Sequence, residues 1–227
     1  MSDNNNDFVH ELEVEEKKHK KVVEYDLVIF GVLIIVFAFA AVSTLVLKSA
    51  YKPVKDVKYS VAQALQQCNK SILTAAETYR KNTTDMAARD RVDAGKTAFD
   101  AAVSYYGGVA KKGTGEGVML AAVDSCYRCG ARFRDTLEVQ RNLIDAGLSA
   151  DMLNGMEKDL NRLKEKRDSL LAGIEAYNSN GFFLKLSWIT PYSGKIEYTS
   201  GALPELQPIA PPPPPQETKD KKVKGRR

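Results

Sequence analysis

The sequence predicts an all-α protein: one transmembrane helix near the N-terminus, an antiparallel bundle of three or four helices after it, and a disordered proline-rich basic tail. Three observations predict this. Residues 27–47 carry no charge. Four later stretches place apolar residues at steps of three and four. After Thr199 periodicity stops and prolines accumulate.

The first element is LVIFGVLIIVFAFAAVSTLVL, Leu27 to Leu47. As a helix it spans about 31 Å, the thickness of a hydrocarbon core. A helix is also the one local structure that satisfies every backbone polar group inside lipid. Asp26 and Lys48 bound the run, and Tyr25 and Tyr51 stand where interfacial aromatics are expected. The run is too long, and begins too far along the chain, for a cleaved signal peptide. The acidic leader does not suit a transit peptide. Residues 1–26 read as a charged flexible leader, with four Lys against eight Asp and Glu. Lys17, Lys18, Lys20 and Lys21 precede the span and Lys48, Lys52, Lys55 and Lys58 follow it, so the positive-inside comparison is tied. A cytoplasmic N-terminus is the expectation, because the short leader then needs no translocation.

A helical domain is expected over residues 51–198. Pro53 marks a kink or a fresh helix start. Val57, Val61, Leu65, Cys68, Ile72 and Tyr79 then share a helix face. Asn82 to Asp85 are capping residues, so Val54 to Tyr106 is either two helices or one with a polar surface feature. The second helix is expected over 86–106, on Val92, Gly95, Phe99, Val103 and Tyr106. The run GGVAKKGTGEG, residues 107–117, reads as a glycine-rich loop. A third helix over about 118–145 uses Met119, Ala122, Cys126, Phe133, Leu137 and Ile144, with Gly147 as its stop. Ser149 caps a fourth helix to about Tyr177. Its period is the clearest: Leu153, Met156, Leu160, Leu163, Arg167, Leu170, Ile174 and Tyr177 form a heptad seam opposite a charged face. Those eight residues, together with Trp188, are the candidate interaction positions, with Arg167 as a register device or a contact to a partner. The aromatic stretch 182–198, with the single Trp188, reads as a hairpin or an irregular cover. In a four-helix arrangement it returns beside the membrane, where Phe182, Phe183 and Trp188 suit the headgroup interface. The tail, with Pro211–Pro215 and a KDKKVKGRR end, is a docking ligand, a stiff spacer or a contact to anionic lipid.

The chemistry-bearing residues are few. Both histidines, His10 and His19, precede the apolar run, so the helical domain has no His for a triad, a Cys-His pair or a His-ligated metal. Cys126-Tyr-Arg-Cys129 is a CxxC, but it falls inside a predicted helix rather than at a helix N-terminus. Packing is its first reading, and redox or metal its second. Gly95-Lys96-Thr97 lacks the preceding strand and first glycine of a P-loop, since position 90 is Asp90. Gly113, Gly115 and Gly117 lack dinucleotide spacing. Asp90 with Asp93, and Asp145 with Asp151, read as solvated faces. Asn69-Lys-Ser71 and Asn82-Thr-Thr84 match the glycosylation pattern. No basic stripe interleaves with aromatics, so no nucleic-acid partner is expected. No catalytic residue, metal, cofactor or small-molecule substrate is expected.

Two stretches are similar to the LemA family: AYKPVKDVKYSVAQALQQ (Ala50–Gln67), like its Tyr-initiated first helix, and LNRLKEKRDSLLAGIEAYNSNGF (Leu160–Phe182), like its last, which ends in Ala-Tyr-Asn, here Ala176-Tyr177-Asn178. The sequence departs from the family at Asn69-Lys-Ser-Ile-Leu-Thr, which lacks the usual basic pair and Leu-Ile-Pro step, and in its added tail. The resemblance implies a membrane-anchored helical bundle with no established enzymatic activity. The functional expectation is a non-enzymatic scaffold that binds a protein partner, itself or both. An accessory subunit of a membrane complex, or a redox sensor using Cys126 and Cys129, is the alternative.

Overall fold

A computed structural model describes residues 4–143, 148–192, 194–199, 201 and 203–206. The chain is all-helical, with no strand among the described residues. Helices α1 (Asn4–Asn82), α2 (Met86–Lys112), α3 (Glu116–Leu143) and α4 (Ala150–Asn178) are long. The short α5 (Gly181–Leu184) and a 3-10 turn, Ser187–Ile189, follow. Among the described residues one helix, α1, is long and apolar enough to cross a membrane, and only 6% of its apolar window is buried.

Several boundaries differ from the expectations. Helix α1 begins at Asn4, so the stretch that composition marks as a flexible leader is helical, in keeping with its content of Glu and Lys, both good helix formers. Pro53 lies inside α1 and starts nothing. Its ring nitrogen has no proton to offer the preceding turn, and the helix tolerates that one lost bond. The question of one helix or two over 54–106 resolves as two. Thr83 to Asp85 break the helix, and the Asp85 carboxylate caps α2 by accepting from the Ala87 and Ala88 amides at 2.9 and 3.3 Å. The glycine run does not end α2 where expected, because Gly107 and Gly108 are helical. The stop is Gly113, left-handed at φ 62°, which a residue with a side chain adopts only at a cost. Ser149 caps α4 as the sequence predicts, its hydroxyl accepting from the Met152 amide at 3.1 Å. The aromatic stretch is irregular with two short helical turns, and a hairpin is ruled out over its described residues. Ile144, Asp145, Gly147 and the tail beyond residue 206 lie outside the described residues.

The helices contribute to two compact units. One holds Met1–Tyr59, Gly115–Leu120 and Asp168–Thr199. Within it, Gly173 of α4 lies so close to α1 that a Cβ there would meet Val54 at 3.1 Å. Tyr51 packs edge-on against Tyr177, with ring centroids 5.7 Å apart. The Asn178 side chain clips the irregular segment, donating to the Ile196 carbonyl at 2.9 Å and accepting from its amide at 2.8 Å. Gly117 lets the Glu197 carbonyl lie directly on α3, in space any Cβ would occupy.

The other unit holds Ser60–Thr114, Ala121–Arg167 and the described residues after Thr199. Its core joins Ile72, Phe99, Phe133, Leu137, Leu153, Met156, Leu160 and Leu163, all fully buried. Gly130 of α3 is the point of closest approach. A Cβ there would meet Leu160 of α4 at 2.6 Å, Phe99 of α2 at 3.3 Å and Ile72 of α1 at 3.5 Å. Gly95, within the Gly-Lys-Thr sequence, is likewise a packing glycine: a Cβ there would meet the Phe133 ring at 3.1 Å. The Thr97 hydroxyl donates to the Asp93 carbonyl of its own helix, so this stretch is a helix face and not a phosphate loop.

Candidate functional site

Polar chemistry concentrates in three places. In the first unit, Glu116 opens α3 and lies between two α1 side chains. Tyr51 donates a short hydrogen bond to it, and Lys58 pairs with the same oxygen at 2.5 Å. Burial pushes the Glu116 carboxyl up, but the bonds from Lys58 and Tyr51 outweigh it and hold the group below the ordinary carboxylate range. Burial, and then the Glu116 carboxylate, push the Tyr51 hydroxyl well above its ordinary value. Tyr177 is raised by burial and then by Glu116 and Tyr192. Tyr51 and Tyr192 rings lie 6.1 Å apart. This is an ionised carboxylate fixed at a helix N-terminus, which suits its charge. Tyr51 and Tyr177 stay protonated at neutral pH, so the cluster acts as a clamp.

The sign of its pH dependence follows. A carboxylate held below its unfolded value, near 4.3 for Glu, stabilises the fold above that pH, and the benefit disappears as pH falls through the lower folded value. Thermal unfolding in mild detergent between pH 7 and pH 3 is expected to show an acid loss that Glu116→Gln reduces. An unchanged acid profile in Glu116→Gln would show that the clamp carries no stability.

In the second unit two arginines are buried with carboxylates. Arg167, 4% exposed, meets Asp124 of α3 at 2.5 Å through Nε and 3.1 Å through Nη2, and Nη2 also donates to the Gly201 carbonyl at 3.1 Å. The two-pronged pairing uses the planar guanidinium fork. Arg134, fully buried, pairs with Glu138 at 2.9 Å, Glu157 at 3.1 Å and Asp135 at 3.2 Å. Sequence reasoning passed over Arg134, although Glu138 four residues on was a signal for it. Nearby, Ser71 donates to Asp159, and Gln67 accepts from Arg162 at 2.5 Å, beside a shallow groove lined also by Lys70, Thr74 and Met152.

The third place is the cysteines. Cys68 and Cys126 are fully buried and Cys129 is half-buried. Cys126 stands about three turns into α3, away from the helix N-terminus that would favour a thiolate. Burial pushes the Cys126 thiol up to about 12, with Cys129 adding to it. Burial pushes Cys68 up to about 12 as well, ahead of Asp159 and Cys126. Alkylation of the native chain at pH 8 is therefore expected to mark Cys129 first, with Cys68 and Cys126 reacting only on denaturation. Rapid modification of Cys126 in the native chain, read by mass spectrometry, would contradict this. Among the described residues no group of three or more His, Cys, Asp or Glu is placed to hold a metal ion.

The eight seam positions lie within the chain. Leu153, Met156, Leu160, Leu163, Leu170 and Ile174 are fully buried, Tyr177 is 1% exposed and Arg167 faces Asp124. Taken as a docking surface the seam is already covered, because a stripe of this width is what a helix uses to join its own core. Trp188 differs, being 78% exposed. Asp93 pairs with Arg80 at 2.7 Å, and so is part of an ordinary surface ion pair. Comparison with known proteins found no matching family model, no matching curated protein and no matching solved structure.

Proposed function

We propose that the chain is a membrane-anchored helical scaffold that mediates protein assembly and performs no catalysis of its own. In this reading residues 27–47 cross the bilayer with the N-terminus cytoplasmic. Residues 51–198 form an antiparallel bundle, and a proline-rich basic segment follows it; its first residues are not free, since Arg167 donates to the Gly201 carbonyl and Tyr127 to the Pro204 carbonyl. The plan is that of the LemA resemblance. One observation carries the reading: the apolar window of α1 is 6% buried, whereas a core helix of that composition would be covered. Support also comes from continuity. Helix α1 runs unbroken from the apolar stretch to Asn82, and its later residues Val61, Leu65, Cys68 and Ile72 are core. A leader removed by cleavage needs no such continuation.

The buried and part-buried ionic groups favour a structural over a chemical role. Glu116, Arg134 and Arg167 are each held by opposite charge at the junction of helices, and the least exposed thiols are protonated. Since the seam is covered, partner binding falls to the exposed faces and the tail. The test is purification of the full-length chain from membranes in mild detergent, with mass spectrometry and light scattering. A homogeneous self-oligomer or a stoichiometric protein partner is expected, and an obligatory foreign partner would make the chain an accessory subunit. A partner-free monomer would overturn the assembly reading. A Cys126→Ser, Cys129→Ser double variant is expected to assemble as the parent does.

A further inference from the structure

The segment 181–189 is built unlike a surface loop. Phe182 is 63% exposed and Trp188 78% exposed, although both are large and apolar. They are not isolated. With Leu186 and Ile189 they wall an apolar recess of about 230 Å³ whose other wall is Ile35, Val36 and Phe39 of α1. Those three residues belong to the middle of the uncharged run. Phe182 and Phe183 meet edge to face, with centroids 5.3 Å apart, which stiffens the turn.

Part of the backbone of this segment is paired locally. Amides of Leu184, Lys185, Leu186 and Ile189 donate to the carbonyls of Asn180, Gly181, Phe183 and Leu186, at 3.0 to 3.3 Å. Each such bond lowers the cost of bringing backbone into hydrocarbon. Lys185, the one charge between Gly181 and Ile189, is exposed. Phe39 lies eight residues before Leu47, a rise of about 12 Å along the helix.

We propose that residues 181–189 form a second membrane-embedded element, a wedge whose Phe182 and Trp188 contact lipid acyl chains beside Ile35–Phe39. The occupant of this apolar face is lipid, because the face is continuous with the uncovered apolar surface of α1. The wedge rests on the membrane reading of that helix.

Trp188 is the only tryptophan, so its fluorescence reports on the wedge alone. The full-length chain is reconstituted into phosphatidylcholine vesicles with and without bromine on the acyl chains, and the vesicles are floated on a density gradient. The expected result is co-flotation, blue-shifted emission, loss of most of that emission in brominated lipid, and little quenching by aqueous iodide. Phe182→Asp, at an exposed position that does not threaten folding, is expected to restore iodide quenching. Co-flotation with red-shifted, iodide-quenched emission would overturn the wedge while leaving the span. Blue emission untouched by brominated lipid would mean that protein covers Trp188, and would also overturn it. Failure to float would remove span and wedge together.

Discussion

Replacing Leu160 and Leu163 together by Asp is expected to unfold the second unit. Both side chains are fully buried at the centre of α4's apolar seam, and Leu160 sits at Gly130, where Ile72 and Phe99 also converge. Each substitution removes a core side chain and places a carboxylate among apolar side chains. Either term alone is worth a few kcal/mol. Together they reach at least about 6 kcal/mol, comparable with the whole stability of an ordinary domain. Circular dichroism in mild detergent should show lost helix and no cooperative melt. Leu73→Asp, at an α1 position 42% exposed, is the matched control and should shift stability little. Retained folding in the double variant would mean that α4 does not pack as described.

The Asp124–Arg167 pair gives the second large effect, and its logic is different. Asp124→Ala leaves a guanidinium 4% exposed with its main counter-charge gone. Breaking a buried pair from one side costs about 3–5 kcal/mol, whereas removing both charges is often nearly neutral. The double variant Asp124→Ala, Arg167→Met should therefore melt above the Asp124→Ala single variant, despite carrying one more substitution. Simple addition of the two single losses would show that the ions are not coupled. The contact from Arg167 to the Gly201 carbonyl sets a limit on the recovery, because methionine cannot make it.

Arg167 shows how far sequence reading goes. The heptad steps placed Leu153 to Tyr177 on one face, and the structure buries all of them. The steps also exposed Arg167 as the one polar seam position. Nothing local named Asp124 as its partner, because the pairing depends on how α3 and α4 meet and not on spacing within either. The caps Asp85 and Ser149 were legible for the opposite reason: a cap acts on amides two or three residues away. Gly107 and Gly108 misled because glycine's helix cost, about 1 kcal/mol each, is small beside the tertiary contacts of Tyr106 and Val109, which flank them and are buried. The sequence singled out Phe182 and Trp188 as candidates for a membrane interface, but the residues that face them, Ile35, Val36 and Phe39, were not legible, since the match joins segments far apart in sequence.

The account depends most on α1 as a membrane anchor. The most direct measurement is alkaline carbonate extraction of membranes that carry the full-length chain, followed by fractionation of pellet and supernatant. The account predicts that the chain stays in the membrane pellet and leaves it only in detergent. Release into the carbonate supernatant as a soluble, monodisperse protein would contradict the anchor, and with it the scaffold and the wedge.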